Sequence, residues 1–293
     1  MRIALATSAS TPPQFDDDRL LIEALAGRGA VAEPAVWDDP SVAWDRFDLV
    51  VLRSTWDYPR KREAFLAWVE SLGNRVRNSA AVVRWNSDKR YLTDLVVQGL
   101  PVVPTLFVAP ADPIPAFEGE VVVKPTVSAG GRDTGRFGPA AHHAARALVD
   151  RLQREGRTAM VQPYLPSVDV RGETALVFVA GRFSHALRKR AVLRPDEEAP
   201  VRRDALGAAE AMYDPDLVEA TEASSAEQAT ANAVLRELAR RFGAAPTFVR
   251  VDVLAAQDGD PVLLELEAVE PYLYLAGAPG AADRLAGAIL ESG

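Results

Sequence analysis

Three acidic side chains near the C-terminus have the spacing of a metal site. Glu265 and Glu267 lie two residues apart in the apolar run VLLELEAV, and Asp252 lies before them in RVDVL. Residues two apart on a strand share a face, and Asp258-Gly259 is typical of a hairpin turn that brings Asp252 opposite the glutamates. Because three carboxylates on one face suit a hard cation, we predict that Asp252, Glu265 and Glu267 bind Mg²⁺. A solvated strand face is the alternative.

The pattern VVVKPTVSAGG is typical of a phosphate-binding loop. Lys124 ends an apolar strand, and the small residues after it let backbone N–H groups approach an anion. The chain has only four lysines among many arginines, and a retained lysine can mark a need for a compact ammonium group. We predict that Lys124, Ser128, Gly130 and Gly131 contact phosphate. An ordinary hairpin loop with a surface lysine is the alternative.

The segment QPYL, from Gln162 to Leu165, follows a predicted strand and is typical of a hinge between domains. At such a hinge, backbone groups and an apolar side chain can hold a flat base. We therefore predict that this segment contributes to a nucleotide site.

The most distinctive segment elsewhere is LRSTWDYPR, which follows a buried strand. Ligands bind beyond the carboxyl ends of strands in parallel sheets, where Arg53 could clamp a carboxylate in two-pronged fashion. Asp57 is predicted to receive an α-ammonium group. For Trp56 and Tyr58, packing against the next helix is the alternative to a pocket wall. The predicted substrate-binding residues are Arg53, Ser54, Trp56, Asp57, Tyr58, His185 of the segment HALRK, and Arg250.

These segments need a scaffold, and the chain alternates predicted elements that supply one. The N-terminal third alternates strands such as FDLVVLR with helices such as DDDRLLIEALAGRG, which predicts a parallel sheet. The remainder mixes hairpins, turning near Gly181 and at Asp258-Gly259, with helices, which is typical of an α+β domain. NSDKRYLTDLVVQG is predicted to be one helix with Ser87 as its N-cap, ending at Gly99. A capping box from Ser224 to Glu227 predicts the start of another helix, which ends at Gly243. The polar stretch from Arg190 to Ser225 is predicted to be a long loop.

Composition narrows the class of protein. The chain has 293 residues, a hydrophobic fraction of 48%, a net charge of −8 and no cysteine. The negative charge argues against a polyanion binder, so we expect no nucleic-acid partner. No apolar run approaches the roughly 18 residues of a membrane span, and we expect a cytoplasmic protein without a membrane partner. The lack of cysteine excludes thiolate catalysis and sulfur-ligated metals.

Taken in order, these motifs resemble those of the ATP-grasp ligases. The order is Lys89, Lys124-Pro125 with its glycine-rich loop, QPYL, Gly172-Glu173, Asp252 and Glu265-x-Glu267. The likeness is greatest to the branch that includes bacterial glutathione synthetase, and it covers roughly residues 86 to 271. It implies the ATP-grasp fold, which combines α/β and α+β parts. Its three domains would be an N-terminal parallel α/β domain (1–85), a linker helix with a small central lid domain (86–165) and a C-terminal antiparallel-sheet domain (166–293).

The resemblance also implies residue roles. Lys89 and Lys124 would hold the phosphates of ATP, and the loop from Ser128 to Gly131 would close over them. Gln162 and the backbone at Tyr164 and Leu165 would take the adenine. Glu173 would bind the ribose hydroxyls, with Asp169 as second candidate. Mg²⁺ would lie at the three acids.

The sequence departs from the branch at two positions. Glu267 stands where asparagine is usual, which adds a charge for metal binding. Ala175 stands where an arginine is usual near the phosphates, so Arg171, Arg188 or Arg250 must replace that charge. The resemblance implies an acyl phosphate formed from a carboxylate and ATP, then attacked by an amine. The predicted catalytic residues are Arg250, Lys189 and Arg188.

The R-S-T-W-D-Y pattern and the E-L-E variant resemble the small ATP-grasp group that contains the D-cycloserine-forming ligase. That likeness implies ring closure of O-ureido-D-serine, a small amino-acid substrate. An intermolecular ligase of dipeptide or glutathione type is the alternative. A protein that binds nucleotide without ligating, and acts in regulation, is a further alternative. The sequence leaves a homodimer open.

Overall fold

The computed structural model describes residues 1–11, 16–199 and 215–291. Its strands form three sheets, two of five strands and one of four. Much of the predicted loop from Arg190 to Ser225 therefore lies outside the described residues. Within the described part the loop prediction is wrong for β12 (Val218–Thr221), because this segment pairs antiparallel with the strand that ends at Lys189.

The N-terminal sheet is parallel, as the alternating pattern predicts. Its strand order is β2-β1-β3-β4, and β3 is buried at all six positions because helices cover both sides of such a sheet. The elements are β1 (Arg2–Thr7), α1 (Asp16–Gly27), β2 (Val31–Val36), β3 (Leu49–Ser54), α2 (Arg62–Ser71) and β4 (Val76–Arg77).

The helix predicted over NSDKRYLTDLVVQG begins later than expected, at Tyr91, and a second short helix precedes it. The two helices are α3 (Ala80–Asn86) and α4 (Tyr91–Val97). Ser79, not Ser87, caps α3, whereas the Ser87 N–H donates to the Val83 carbonyl and ends that helix. The break has a structural reason, since the Lys89 N–H donates to the Thr126 carbonyl at 2.9 Å. Lys89 is thereby fixed beside the glycine-rich loop.

The central sheet is antiparallel and has the order β11-β7-β6-β8-β5. Helix α5 (His142–Arg154) covers it with Ala145, Leu148, Val149 and Leu152, which repeat at helical spacing and are buried. The strands are β5 (Leu106–Val108), β6 (Val121–Pro125), β7 (Gly135–Phe137), β8 (Ala159–Pro163) and β11 (Glu197–Glu198). The boundaries predicted at 85/86 and 165/166 stay a prediction, and β11 comes from beyond the second of them.

The C-terminal sheet contains both predicted hairpins and has the order β12-β10-β9-β13-β14. Helix α7 packs on it and has the predicted capping box, in which Ser224 and Glu227 bond reciprocally. Helix α8 packs against α1 of the N-terminal domain. The elements are α6 (Ser167–Arg171), β9 (Glu173–Val179), β10 (Arg182–Lys189), α7 (Ser225–Phe242), β13 (Phe248–Ala255), β14 (Pro261–Glu267) and α8 (Ala281–Glu291).

One hydrophobic core joins the first and last domains. Ile3 and Leu5 of β1 belong to the same buried cluster as Val177 of β9 and Phe248 of β13. The two sheets are thereby held together on one side of the site described below. No helix in the described part of the chain is long and apolar enough to cross a membrane.

Candidate active site

A cavity of about 320 Å³ lies where the three sheets meet. Side chains from the loop after β3, the central sheet, β13, β14 and the segment after β14 line it. It brings together sixteen of the predicted site residues: Trp56, Tyr58, Lys89, Lys124, Ser128, Gly130, Gly131, Gln162, Tyr164, Leu165, Glu173, Lys189, Arg250, Asp252, Glu265 and Glu267.

The two predicted phosphate lysines meet at one carboxylate. Lys89 Nζ lies 3.1 Å from Glu265 Oε1, and Lys124 Nζ lies 3.2 Å from Glu265 Oε2. Loss of water opposes the negative charge, but Lys124 and Lys89 outweigh that effect and hold the pKa of Glu265 far below its ordinary value. Two ammonium groups therefore stand at this end of the cavity, where they can receive an anion.

The glycine-rich loop closes over the same two lysines. Lys89 Nζ donates to the carbonyl of Ser128 at 3.1 Å. Gly130 and Gly131 both have positive φ, at 65° and 68°, a region that residues with a Cβ avoid. The two glycines thus allow a turn whose backbone faces the cavity.

The three predicted metal ligands share one sheet face, as the hairpin predicts. Asp252 lies opposite Glu265, and Arg250 lies opposite Glu267. Arg250 contacts both neighbouring acids: its Nη2 lies 2.8 Å from Asp252 Oδ2, and it also donates to Glu267. Lys189 binds Glu173 and lies 3.3 Å from Asp252.

Each of the three predicted metal ligands forms an ion pair with a lysine or arginine side chain of the cavity. Among the residues that the structure describes, no three His, Asp or Glu side chains form a ready-made metal cluster. Loss of water raises the pKa of Glu267 to about 6 against the effect of Arg250, with Asp252 and Glu265 adding to the rise. A divalent cation would relieve this repulsion, and carboxylate oxygens are the ligands that Mg²⁺ prefers.

The predicted adenine end is partly assembled. Gln162 is buried and donates to Thr105 Oγ1 at 2.9 Å, and Leu165 lines the cavity. The Tyr164 ring lies under the Arg136 guanidinium, 3.5 Å from its centroid. Asp169 is exposed and lies outside the cavity, because Arg136 holds it in a two-pronged ion pair at 2.9 and 3.0 Å. Glu173 lines the cavity and keeps the ribose role as a prediction.

The R-S-T-W-D-Y loop is divided between cavity and core. Arg53 is 2% exposed, and its Nε donates to Asp18 at 2.9 Å, so it faces away from the cavity. Ser54 donates to Asp18 and to Thr7. Asp57 accepts from the Trp37 indole at 2.8 Å. The structure therefore does not bring Arg53, Ser54 or Asp57 to the cavity wall.

Only the two aromatic residues of this loop reach the cavity. The Trp56 indole donates to the Glu270 carbonyl at 3.3 Å. Tyr58 lines the cavity and also stacks on Phe65 of α2 at 4.8 Å, so the predicted packing role and the predicted wall role both apply.

Two predicted residues of β10 also lie outside the cavity. His185 Nε2 contacts the Leu273 carbonyl at 2.8 Å, and burial lowers the pKa of this imidazole. Arg188 points toward Glu227 of α7, at 3.7 Å. Alternation along β10 explains the position of Arg188, since Lys189 is next in sequence and faces the cavity.

The cavity also contains residues that the sequence analysis did not select. Arg132 donates to the Trp56 carbonyl at 3.1 Å and joins the glycine-rich loop to the N-terminal domain. Glu270, Tyr272 and Tyr274 line the cavity after β14. The alternation of polar and apolar residues in EPYLYL was the available signal for these three.

The chain is similar in sequence to proteins of known families. The family described as D-cycloserine synthetase DcsG, N-terminal domain, matches residues 3–78. The chain is 36% identical to the cycloserine biosynthesis protein DcsG of Streptomyces lavendulae, over 99% of this chain and 98% of that protein. It is 30% identical to the glutathione synthetase of Bordetella pertussis, over 46% of this chain and 43% of that protein.

Solved structures have the same fold. The crystal structure of D-cycloserine synthetase DcsG matches with a TM-score of 0.88 at 34% identity, over 99% of both chains. A D-alanine–D-alanine ligase from Bacillus anthracis, complexed with ATP, matches with a TM-score of 0.70 at 14% identity, over 100% of this chain and 97% of that one. The predicted ATP-grasp fold, with its parallel and antiparallel parts, is confirmed.

Proposed function

The chain belongs to the family of the cycloserine biosynthesis protein DcsG and is an ATP-dependent ligase, and from this premise we propose that it closes O-ureido-D-serine into D-cycloserine. The observation that carries the proposal is the cavity. Its lysines and acids suit a nucleotide and a metal, and Trp56, Tyr58 and Glu270 add aromatic and polar wall to the same cavity.

The nucleotide would lie along the central sheet. Gln162 and the backbone at Tyr164 and Leu165 would hold the adenine, and Glu173 the ribose. Lys89, Lys124 and the loop from Ser128 to Gly131 would hold the phosphates. This placement is supported by the two ammonium groups at Glu265 and by the positive-φ glycines above them.

Asp252, Glu265 and Glu267 would hold Mg²⁺ together with phosphate oxygens. When bound, the ion supplies neutralisation of the charge that develops on the phosphoryl oxygens. The donor set fits, because the three carboxylates share one sheet face. Arg250 already lies between Asp252 and Glu267 and would contact the transferred phosphoryl group.

Ring closure proceeds in two displacements, and a hydrolysis removes the carbamoyl group. The substrate carboxylate attacks the γ-phosphorus of ATP, the β–γ bond breaks, and ADP leaves from an acyl phosphate. The oxygen-linked nitrogen of the ureido group then attacks the acyl carbon, and inorganic phosphate leaves as the five-membered ring closes. D-cycloserine has no carbamoyl group, so water must remove it as carbamate, which yields carbon dioxide and ammonia. The residues position and neutralise charge, and no side-chain nucleophile is required.

The test is ADP and phosphate release from Mg·ATP, with O-ureido-D-serine in one reaction and pooled amino acids in another. We expect ADP, ammonia and a cyclised product, identified by mass, only with O-ureido-D-serine. ADP with the amino-acid pool alone would overturn the proposed substrate in favour of an intermolecular ligase. If neither reaction released ADP or phosphate, the proposed substrate would also be overturned.

A matched pair of variants ties this activity to the cavity. Lys124→Met removes an ammonium group that faces Glu265, and we expect it to abolish ADP release. Lys61→Met removes an exposed lysine that pairs with Asp38, and we expect it to leave ADP release unchanged.

A further inference from the structure

The segment after β14 presents a row of polar side chains to the cavity. Glu270, Tyr272 and Tyr274 line it, and the intervening Leu273 is buried in the core. The backbone is held on both sides. Buried Asp17 accepts from the Leu273 N–H at 3.0 Å, and Arg250 donates to the Tyr272 carbonyl at 3.0 Å. The row is therefore a fixed wall.

Glu270 differs from every other acid that lines the cavity. Glu265 is paired with two lysines, Asp252 and Glu267 with Arg250, and Glu173 with Lys189. Among the residues that the structure describes, none forms an ion pair with Glu270. Within this part of the chain, Glu270 is thus the cavity acid that lacks a cationic partner.

The surroundings of Glu270 favour a positive ligand. Loss of water and the neighbouring charge of Glu267 raise the pKa of Glu270 to about 8, with Lys89 acting in the opposite direction. A cation beside this carboxylate relieves both causes. The indole of Trp56 donates to the Glu270 backbone carbonyl, which places the acid beside the loop after β3.

We propose that Glu270 receives the α-ammonium group of the amino-acid substrate. The inference rests on the proposed function and assigns to Glu270 the role that the sequence suggested for Asp57. Asp57 lies outside the cavity and is bound to Trp37. An ammonium group has three donors and a full charge, so it satisfies a carboxylate in this enclosed wall better than water does.

The experiment compares two substrates that differ only in the α-amino group: O-ureido-D-serine and 3-(ureidooxy)propanoate, its deamino analogue. We expect the wild-type protein to prefer O-ureido-D-serine by roughly tenfold to a hundredfold in kcat/KM, as for a charge-assisted hydrogen bond. Glu270→Gln, which keeps the side-chain shape, should reduce that preference to within a few fold. It should raise KM for O-ureido-D-serine and leave KM for ATP unchanged.

Three controls separate the outcomes. Binding of Mg·ADP reports that the variant is folded, and Glu270→Ala provides a second variant of the same position. Asp57→Asn tests the competing acid, and loss of the preference there instead would overturn the proposal. If Glu270→Gln slowed both substrates equally and kept the preference, the acid would act on the reacting nitrogen and not on the ammonium group. No turnover of O-ureido-D-serine by the wild-type protein would instead overturn the proposed function.

Discussion

The β13–β14 hairpin and the segment from Arg53 to Tyr58 are both rich in polar residues that the sequence marks for chemistry. Only in the hairpin do all of these residues reach the cavity. Arg250, Asp252, Glu265 and Glu267 all line the cavity. In that segment, Trp56 and Tyr58 reach it, while Arg53 and Asp57 turn into the protein. Strand pairing explains the hairpin, because its register dictates a face for each side chain. In β3 the register with β1 shifts between Leu52 and Ser54 and then ends, so the polar groups from Arg53 onward bond to the nearest partner.

The largest expected effect tests the hairpin. Glu265→Gln removes the charge that holds Lys89 and Lys124 and would hold Mg²⁺. We expect kcat for ATP turnover of the folded variant to fall by about a thousandfold, and the unfolding midpoint in urea to fall as well because Lys89 and Lys124 lose their anion. Glu222→Gln, at an exposed position, is the matched control and should be fully active. Unchanged turnover in the Glu265 variant would show that this hairpin takes no part in the reaction.

The next effect tests Arg53, the buried arginine of β3. Arg53→Ala leaves Asp17 and Asp18 without their cation, and a broken buried ion pair costs about 3 kcal/mol or more of unfolding free energy. Urea unfolding measures this loss, and nucleotide affinity of the folded fraction should persist. A normal unfolding midpoint with a raised KM for the carboxylate substrate would return Arg53 to the substrate role that the sequence suggested.

A smaller effect tests the half of the loop that reaches the cavity. Trp56→Phe keeps an aromatic wall but removes the indole donor to the Glu270 carbonyl. The loss of one neutral hydrogen bond, about 1 kcal/mol, predicts a rise of roughly fivefold in KM for the amino-acid substrate. Trp68→Phe is the matched control, since its buried indole nitrogen has no hydrogen-bond partner among the described residues. If both variants had the same KM, Trp56 would serve only in packing.

The smallest effect concerns His185, which the structure also places outside the cavity. Burial lowers the pKa of this imidazole below its ordinary value of 6.5, so the folded state keeps it neutral where the unfolded state binds a proton. Stability should therefore fall as pH decreases through 6.5, by at most about 1.4 kcal/mol per pH unit. Urea unfolding at pH 7.5 and 5.5 measures this slope. His185→Gln should flatten it, and an identical slope would show that His185 is not its source.

Sequence patterns predicted the strands and turns of this protein better than its loops. The strands, the capping box at Ser224 and the hairpin turn at Asp258-Gly259 follow from local rules, and all of them were confirmed. The predicted N-cap at Ser87 was wrong and the helix begins only at Tyr91, because the Lys89 N–H bonds to the Thr126 carbonyl from a distant part of the chain. Glu270 directly follows the run VLLELEAV, but the sequence does not mark it, because alternation outside a regular strand is a weak signal.

The sequence by itself determined the order of elements, the face shared by Asp252, Glu265 and Glu267, and the family. These features depend on short-range periodicity and on motif spacing, which a linear chain states directly. Only the tertiary structure decided which polar residues meet across domains. The pairing of Lys89 with Glu265, the burial of Arg53 and the place of Glu270 in the cavity wall all depend on contacts between segments that are far apart in sequence. Such contacts follow from packing and charge satisfaction in three dimensions, and no local pattern encodes them.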